Sequence, residues 1–158
     1  MDSAIKKQAL RLFTYGLYIV MCQDQNDVNA FTANWLTQVS FDPPLLAISV
    51  ENDAKSLMMI RNSEKFTVNV LRTGQRELAG TLGKSAWKAP EKLAGIHHTI
   101  LEMGYPILQS ALGWVACGVR QMVLVGDSTL VIAEVVDAGM LVEGQPLTMA
   151  EAGFRHAG

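Results

Sequence analysis

The pattern of apolar and polar positions predicts a chain built mainly of short strands. Residues 31–40 are rich in strand-forming side chains, and residues 45–50 form a nearly unbroken apolar run that predicts a strand buried on both faces. Asp42-Pro43-Pro44 lies between them and predicts a turn, because proline fixes φ and restricts the residue before it. We take this pair of strands as the centre around which the chain is organised.

The same pattern predicts further strands and joins two of them. They cover residues 17–22, 65–71, 114–125, 130–136 and 139–143. Gly126-Asp127-Ser128 is a turn that joins strands 114–125 and 130–136 into an antiparallel hairpin. Residues 23–29 are polar and predict a hairpin loop. In the strand at 65–71, Asn69 stands among apolar residues, and a buried amide must find partners. It either braces a neighbouring loop or touches a ligand.

Three short helices are expected around these strands. The first starts at Asp2 or Ser3 and runs to about Phe13, with an apolar face. The second, near residues 57–60, has Asn52 or Asp53 as its N-cap and Arg61 near its C-terminal end. The third covers 75–82 and ends at Gly83, and the irregular residues 84–95 cover a cleft or lie on a partner subunit. The total is six or seven strands with two or three helices.

These elements predict a mainly β fold, a β-barrel with peripheral helices, because closure into a barrel removes exposed strand edges. A chain of 158 residues fits a single domain covering residues 1–158. Hydrophobic residues make up 49% and charged residues 18%, an apolar excess that favours a homodimer. No run reaches the roughly 18 apolar residues of a membrane span, and no secretory signal is recognisable, so we expect a cytoplasmic protein without membrane contact.

The charge and the metal-binding residue types exclude other classes of function. A net charge of −2 without a Lys/Arg cluster argues against nucleic acid as a partner. Cys22 and Cys117 are too far apart for a CxxC metal site and are expected to be buried and reduced. His97 and His98 are adjacent, so they point to opposite faces of a strand and cannot chelate one metal together. We therefore predict no metal site.

Two stretches carry candidate binding chemistry. Residues 32–37, TANWLT, combine hydroxyls, an amide and an indole, which suit a flat hydrogen-bonding ligand or a hairpin that caps its own backbone. The loop at residues 51–56 leads from a strand into a helix start and offers backbone N–H groups, Lys55 and Ser56 to a phosphate. Glu51 and Asp53 oppose an anion there, and helix capping alone explains the loop equally well. No catalytic constellation is recognisable.

Residues 32–50, TANWLTQVSFDPPLLAISV, and 66–71, FTVNVL, resemble the flavin reductase-like, FMN-binding split-barrel family. Tyr15-Gly16, Gly126-Asp127 and Ala133-Glu134-Val135 extend the resemblance to roughly residues 8–150. The sequence around Asn34 is most similar to that of flavin reductase domains fused to flavodiiron and rubredoxin-type proteins. The resemblance implies bound FMN, NADH or NADPH as substrate, and a homodimer with flavin near the subunit interface.

The resemblance also implies site residues. The flavin ring and ribityl chain would be lined by Thr32, Ala33, Asn34, Trp35, Leu36 and Thr37. The ribityl phosphate would be held by Ser49, Val50, Ala54, Lys55 and Ser56. Trp35 either stacks against the flavin or fills a dimer core. No catalytic residue is assigned, because the flavin itself carries the redox chemistry.

One position departs from the family pattern. Many members have Gly-Asp-His in the late hairpin, and their histidine is associated with the nicotinamide half-reaction, whereas this chain has Ser128. Unlike histidine, serine cannot become positively charged near neutral pH. His156 in the tail is a candidate to take the place of the missing histidine from another direction. Three functions follow: an NAD(P)H:flavin oxidoreductase, a non-enzymatic FMN electron carrier reduced by a redox partner protein, or an interaction module that has lost its cofactor.

Overall fold

The computed structural model describes residues 1–158 and contains nine strands and four α-helices. The strands are β1 (Tyr18–Asp24), β2 (Asp27–Ala33), β3 (Leu36–Ser40), β4 (Leu45–Glu51), β5 (Lys65–Val70), β6 (His98–Leu101), β7 (Tyr105–Leu108), β8 (Gly113–Val125) and β9 (Ser128–Met140). The helices are α1 (Ser3–Leu10), α2 (Lys55–Ser63), α3 (Arg76–Leu82) and α4 (Met149–Ala152), and a 3-10 turn covers Glu102–Gly104. No helix is long and apolar enough to cross a membrane.

Seven of the strands form one antiparallel sheet in the order β2-β1-β5-β8-β9-β4-β3. Its outer strands, β2 and β3, are consecutive in the chain and separated only by Asn34 and Trp35. Three Cα–Cα steps cover at most about 11 Å, so the sheet must curl until its two outer strands approach each other. The predicted mainly β, barrel-like architecture with peripheral helices is confirmed.

Two apolar clusters hold the sheet, one on each face. The first fills the interior and includes Phe66, which is fully buried, together with side chains of α2. The second lies outside β1 and β2, against α3 and the C-terminal segment. Alternate residues of β1 serve the two clusters, Val20 inside and Ile19 outside, as the two-residue period of a strand dictates.

Asn69 of β5 ties the sheet to the small β6–β7 hairpin. Its Nδ2 donates to the carbonyl oxygen of Ile19 at 3.1 Å and to Oγ1 of Thr67 at 3.0 Å. Its Oδ1 accepts from the backbone N–H of Leu108 at 2.8 Å. Every polar group of this fully buried amide is therefore satisfied by the chain itself. Of the two alternatives, bracing of a neighbouring segment is the one observed.

Several predicted strand boundaries are wrong. Residues 31–40 are not one strand, because the chain leaves the sheet at Asn34 and Trp35 and re-enters it on the other edge. The predicted polar loop at 23–29 is largely strand, since Val28 and Asn29 pair with β1 and leave a turn at Gln25 and Asn26. Polar composition misled the prediction, because a polar residue can also lie within a strand when its side chain finds a partner: Asn29 is buried and donates to Ser56 Oγ.

The later strands also differ from the prediction. β4 is not buried on both faces, since only Ile48 and Val50 are fully enclosed. Residues 139–143 are not a separate strand, because β9 continues to Met140 alongside β8. The β6–β7 hairpin was missed, since neither short segment alternates clearly by itself. The strand count of six or seven was too low for the same reason.

The helices differ from the prediction mainly at their ends and caps. α1 has Asp2 as its N-cap, as predicted, but ends at Leu10, and its apolar face is exposed. α2 is not capped by Asn52 or Asp53; its N-cap is Ala54, because the Asn52 side chain bonds across the sheet to Thr129 and Gly126. Arg61 in the last turn of α2 and Gly83 at the end of α3 are as predicted. The short helix α4 was not predicted.

Cys22 and Cys117 are both free and buried, as predicted. Burial raises the pKa of each thiol from 9.0 to about 12. Because the thiolate is the reactive form, neither residue should react with an aromatic disulfide reagent at pH 8 in the folded protein. We expect both to react at once after unfolding in guanidinium chloride, as followed by the released chromophore. Rapid labelling of the folded chain would contradict the burial.

Candidate functional site

A cleft of about 580 Å³ lies where β2 and β4 approach the start of α2. Its other walls come from α3, from residues 83–88 and from the C-terminal tail. The volume falls within the range of about 300–1,000 Å³ typical of small-molecule sites. This cleft is therefore the candidate functional site.

Most of the residues predicted from the sequence meet in this cleft. Those that line it are Thr32, Ala33, Asn34, Trp35, Ser49, Val50, Ala54, Lys55 and Ser56. Leu36 and Thr37 do not, because the chain has by then entered β3, where Leu36 packs against the interior cluster and Thr37 is exposed. Residues 32–35 and 49–56, which are separated in the sequence, thus form one wall of the cleft. That they bind a flavin stays a prediction.

The start of α2 forms one end of the cleft. Its N-cap, Ala54, offers no side-chain hydrogen bond, so the positive end of the helix dipole faces the cleft without a capping group. Ser56 is buried and its Oγ accepts from Nδ2 of Asn29 at 2.7 Å. Nζ of Lys55 lies 2.8 Å from Oδ2 of Asp27, which holds the lysine beside the helix start.

Basic side chains outnumber acidic ones along the cleft. The lysines are Lys55, Lys84, Lys88 and Lys92, against the carboxylates Glu51 and Asp53. The cleft is therefore cationic in a chain whose net charge is −2. Such a lining attracts an anionic ligand.

Lys92 is the unusual member of this set, since its side chain is buried with only 7% of the residue exposed. Its Nζ donates to the carbonyl oxygens of Leu82 at 3.0 Å and Lys84 at 2.7 Å. The pKa of Lys92 is lowered from 10.5 to about 8, mainly by burial and to a lesser extent by the positive charge of Lys55, while Cys22 opposes the shift. The sequence prediction missed Lys92, because nothing local distinguishes it from an exposed lysine.

Residues 84–95 close one side of the cleft, which is one of the two placements that their irregular composition predicted. Trp87 is the contact point: its Nε1 donates to the carbonyl oxygen of Asp53 at 2.9 Å. Nζ of Lys55 lies 6.0 Å from the centre of the Trp87 ring, within reach of a cation–π contact. The loop is therefore attached directly to the segment that leads into α2.

The C-terminal tail contributes an aromatic part of the cleft wall. The rings of His156 and Trp35 lie 5.0 Å apart at an angle of 35°. Asn34 holds the histidine twice: its Nδ2 donates to the His156 carbonyl oxygen at 3.1 Å, and its Oδ1 lies 3.1 Å from His156 Nδ1. Phe154 completes this wall. The side-chain amide of Asn34 is consequently engaged by the chain itself.

Comparison with known proteins identifies the family. Residues 10–158 match the model of the flavin reductase like domain, which is nearly the whole chain. The chain belongs to the flavin reductase-like family.

Its relatives include free-standing reductases and parts of longer proteins. An NADH-dependent flavin reductase of Rhodococcus sp. is 31% identical over 152 residues, covering 94% of this chain and 83% of the relative. A high molecular weight rubredoxin of Moorella thermoacetica is 32% identical over 145 residues, covering 90% of this chain but only 63% of that protein. The solved structure of the flavin reductase PheA2 in its native state superposes with a TM-score of 0.83 at 30% identity, over 99% and 98% of the two chains.

Within this flavin reductase-like chain, Ser128 occupies a site position. It is 5% exposed, lines the cleft, and its Oγ donates to Oδ1 of Asp127 at 3.1 Å. In the sheet it pairs with Glu51, whose Oε1 lies 3.7 Å from Nε2 of His156. The imidazole of the tail therefore approaches the same part of the cleft that Ser128 faces. The sequence suggested this alternative only from the presence of a histidine in the tail.

Proposed function

We propose that this chain is an NAD(P)H:flavin oxidoreductase that binds FMN in the 580 Å³ cleft. Family membership supports the activity, and the observation that carries the assignment of the site is the polarity of the cleft. The lining combines lysines, aromatic rings, and hydroxyl and backbone groups, which suit the phosphate, the ring and the ribityl chain of FMN. Held there, FMN would supply the redox chemistry: hydride transfer from the nicotinamide, which is thereby oxidised, and passage of the two electrons to free flavin or another acceptor.

The residues at the start of α2 fit a phosphate. Backbone N–H groups of the first turn of α2 and the hydroxyl of Ser56 supply hydrogen-bond donors, and the helix dipole favours an anion there. Lys55 and Lys92 add charge, and their ammonium groups influence each other electrostatically, as expected of neighbours. Burial of Lys92 has already removed much of its water, so an arriving phosphate would gain a strong charge-assisted bond.

The aromatic part of the wall fits a planar ring. The side chain of Asn34 is engaged by His156, and the hydroxyl of Thr32 donates to the carbonyl oxygen of Ala79. The indole of Trp35, whose residue is 38% exposed, remains accessible to a ring. In this proposal the chain positions the ring and excludes water, and it supplies no general acid or base.

Steady-state oxidation of NADH and NADPH tests this function. With FMN and an electron acceptor present, the protein should accelerate oxidation of at least one of the two nucleotides well beyond the rate with free FMN. An equal rate for protein and free FMN would overturn the proposed enzymatic activity. It would leave FMN binding open, because the two are measured separately.

A second candidate function is a non-enzymatic FMN electron carrier, reduced by a redox partner protein. The observation that favours it is Ser128, which lines the cleft at the position where the family resemblance implied a histidine. The similarity to part of a high molecular weight rubredoxin agrees with a partner-dependent role. This candidate predicts stable FMN binding together with no reaction with NADH or NADPH, and reduction once a suitable electron-transfer protein is added.

FMN affinity should fall as the pH rises through about 8. The pKa of Lys92 is about 8 in the folded chain, so its positive charge is lost above that pH, while the FMN phosphate is already a dianion by pH 7. Binding of the dianion raises the pKa of the lysine, so a proton is taken up on binding near pH 8. Titrations of FMN fluorescence between pH 6.5 and 9.5 measure the effect.

Lys92→Gln provides the comparison for this pH profile. The variant should bind FMN more weakly at pH 7 and lose the step near pH 8, provided that its thermal unfolding shows it to be folded. An unchanged step in the variant would assign the pH dependence to another group.

We infer also that residues 1–158 form one domain that works as a cytoplasmic homodimer. Five large apolar side chains are exposed on β3, on the turn after it, and on β8 and β9: Val39, Phe41, Leu124, Val136 and Met140. Covering such side chains is the usual role of a subunit interface. Light scattering of the purified protein should give twice the mass of 17.2 kDa.

A further inference from the structure

The loop at residues 83–92, which follows α3 and lines the cleft, is braced at its base and along its length. At the base, Nζ of Lys92 donates to two carbonyl oxygens, one in the last residue of α3 and one just beyond it. Along its length, the backbone N–H groups of Lys88 and Ala89 both donate to the carbonyl oxygen of Ser85, at 3.2 and 2.8 Å. The loop is therefore a preformed wall of the cleft.

Trp87 is the residue with which this loop reaches the start of α2. Its Nε1 donates to the carbonyl oxygen of Asp53 at 2.9 Å, one residue before the N-cap Ala54. Its ring centre lies 6.0 Å from Nζ of Lys55. Trp87 is 60% exposed, whereas Ser56 in the first turn of α2 is 2% exposed. The indole thus lies on the solvent side of the helix start.

Strand β2 borders the helix start as well. Asn29 of β2 donates to the Ser56 hydroxyl at 2.7 Å, and Asp27 at the beginning of β2 pairs with Lys55 at 2.8 Å. A phosphate bound at the first turn of α2 would therefore have β2 beside it and the indole of Trp87 between it and solvent. Little room is left there for a group attached to that phosphate.

This enclosure affects two flavins differently. The phosphate of FMN ends the molecule, so nothing has to pass the indole. In FAD the same phosphate is joined to a second nucleotide, which must leave the site beside the first phosphate. Charge does not separate the two ligands, since the FMN phosphate carries about −1.5 to −2 at pH 7 and FAD carries one negative charge on each of its two phosphates. A difference in affinity must come from shape.

We propose that Trp87 makes this cleft selective for a flavin mononucleotide over a flavin dinucleotide. The inference rests on the proposed function, since it requires the flavin phosphate at the start of α2. The bulk of the indole excludes the second nucleotide, and its hydrogen bond to Asp53 holds it in place. Such selectivity arises from a penalty against the wrong ligand, not from a new contact with the right one.

Calorimetric titrations of FMN, FAD and riboflavin into the full chain, freed of any flavin, test the inference. The wild type should bind FMN about 100-fold more tightly than FAD. Trp87→Ala should lower this ratio by about tenfold, through tighter binding of FAD, while FMN affinity changes by less than about threefold. Trp87→Phe keeps a ring without the N–H donor, so its ratio should lie between those of the wild type and Trp87→Ala.

Two controls separate selectivity from a structural role. Trp114→Phe makes the same change as Trp87→Phe on β8, outside the cleft, and should keep the wild-type ratio. Riboflavin has no phosphate, so its affinity should be equal in the wild type and in Trp87→Ala. A merely structural role of Trp87 would weaken all three ligands alike and lower the midpoint of thermal unfolding, leaving the ratio unchanged.

Equal affinity of the wild type for FMN and FAD would overturn the inference, and so would an unchanged ratio in Trp87→Ala. A changed oligomeric mass of Trp87→Ala with an unaltered ratio would place the indole in a contact between copies of the chain instead. Failure of the proposed function is distinguishable. A wild type that binds FMN without oxidising NADH or NADPH refutes the proposed activity while the ratio still gives an answer, and one that binds neither flavin refutes both.

Discussion

Replacing Lys55 with glutamine is expected to weaken FMN binding by about 10- to 100-fold, because one charge-assisted hydrogen bond contributes roughly 1.5–3 kcal/mol. Lys55 is the first residue of α2, lines the cleft and lies beside the uncapped helix start, where we propose the phosphate to bind. Glutamine keeps most of the side-chain length and removes the charge. Quenching of FMN fluorescence during titration measures the change.

Riboflavin provides a control for the Lys55→Gln variant, because it lacks the phosphate. Its affinity should be the same for wild type and variant, within about twofold. The ion pair of Lys55 with Asp27 is partly exposed, so its loss should cost little stability. Lys65→Gln, which removes a lysine that does not line the cleft, should leave both affinities unchanged. Equal weakening of FMN and riboflavin would show that Lys55 does not act on the phosphate.

Replacing Asn69 with leucine is expected to lower the free energy of unfolding by about 2–5 kcal/mol, since each buried group that loses its partner costs roughly 1–3 kcal/mol. The carbonyl oxygen of Ile19 would lose the bond from this amide, and the backbone N–H of Leu108 would lose its acceptor. Leucine is similar in size, so the cost comes mainly from lost hydrogen bonds. Urea unfolding followed by circular dichroism measures it.

Asn62→Leu is the matched control for this variant. Asn62 is exposed, and its one side-chain bond, to Asp24, can be replaced by water. The control should lose less than about 1 kcal/mol. Similar losses in the two variants would refute the bracing role of Asn69 and the connection it makes to the β6–β7 hairpin.

The sequence predicted those parts of the fold that local patterns determine. β5 alternates clearly and the β8–β9 hairpin has a recognisable turn, so β5 and β8 were predicted to within one residue, whereas β9 begins two residues before and ends four residues after the predicted 130–136. The break at Asn34 and Trp35 was missed, because only the closure of the sheet makes two edge strands out of one strand-like run. The N-cap of α2 was missed because Asn52 is taken by a contact with Thr129, far away in the chain.

The candidate site divides in the same way. The wall formed by residues 32–35 and 54–56 was predictable, because its residue types already suggested ligand binding and the family resemblance pointed to the same segments. Lys92 and Trp87 were not included, since each reaches the cleft through contacts with other segments, and His156 was named only as a substitute for the missing histidine. The family resemblance pointed to a flavin, whereas the contribution of the C-terminal tail to the cleft wall became visible only in the three-dimensional structure.

The visible absorption spectrum of the purified protein, recorded again after adding FMN and removing excess by desalting, tests the central claim most directly. The account predicts absorption bands of oxidised flavin that stay with the protein, together with quenched flavin fluorescence, and a loss of this retention in the Lys55→Gln variant. A colourless protein that neither retains nor quenches added FMN would contradict it. The cleft would then need a different ligand.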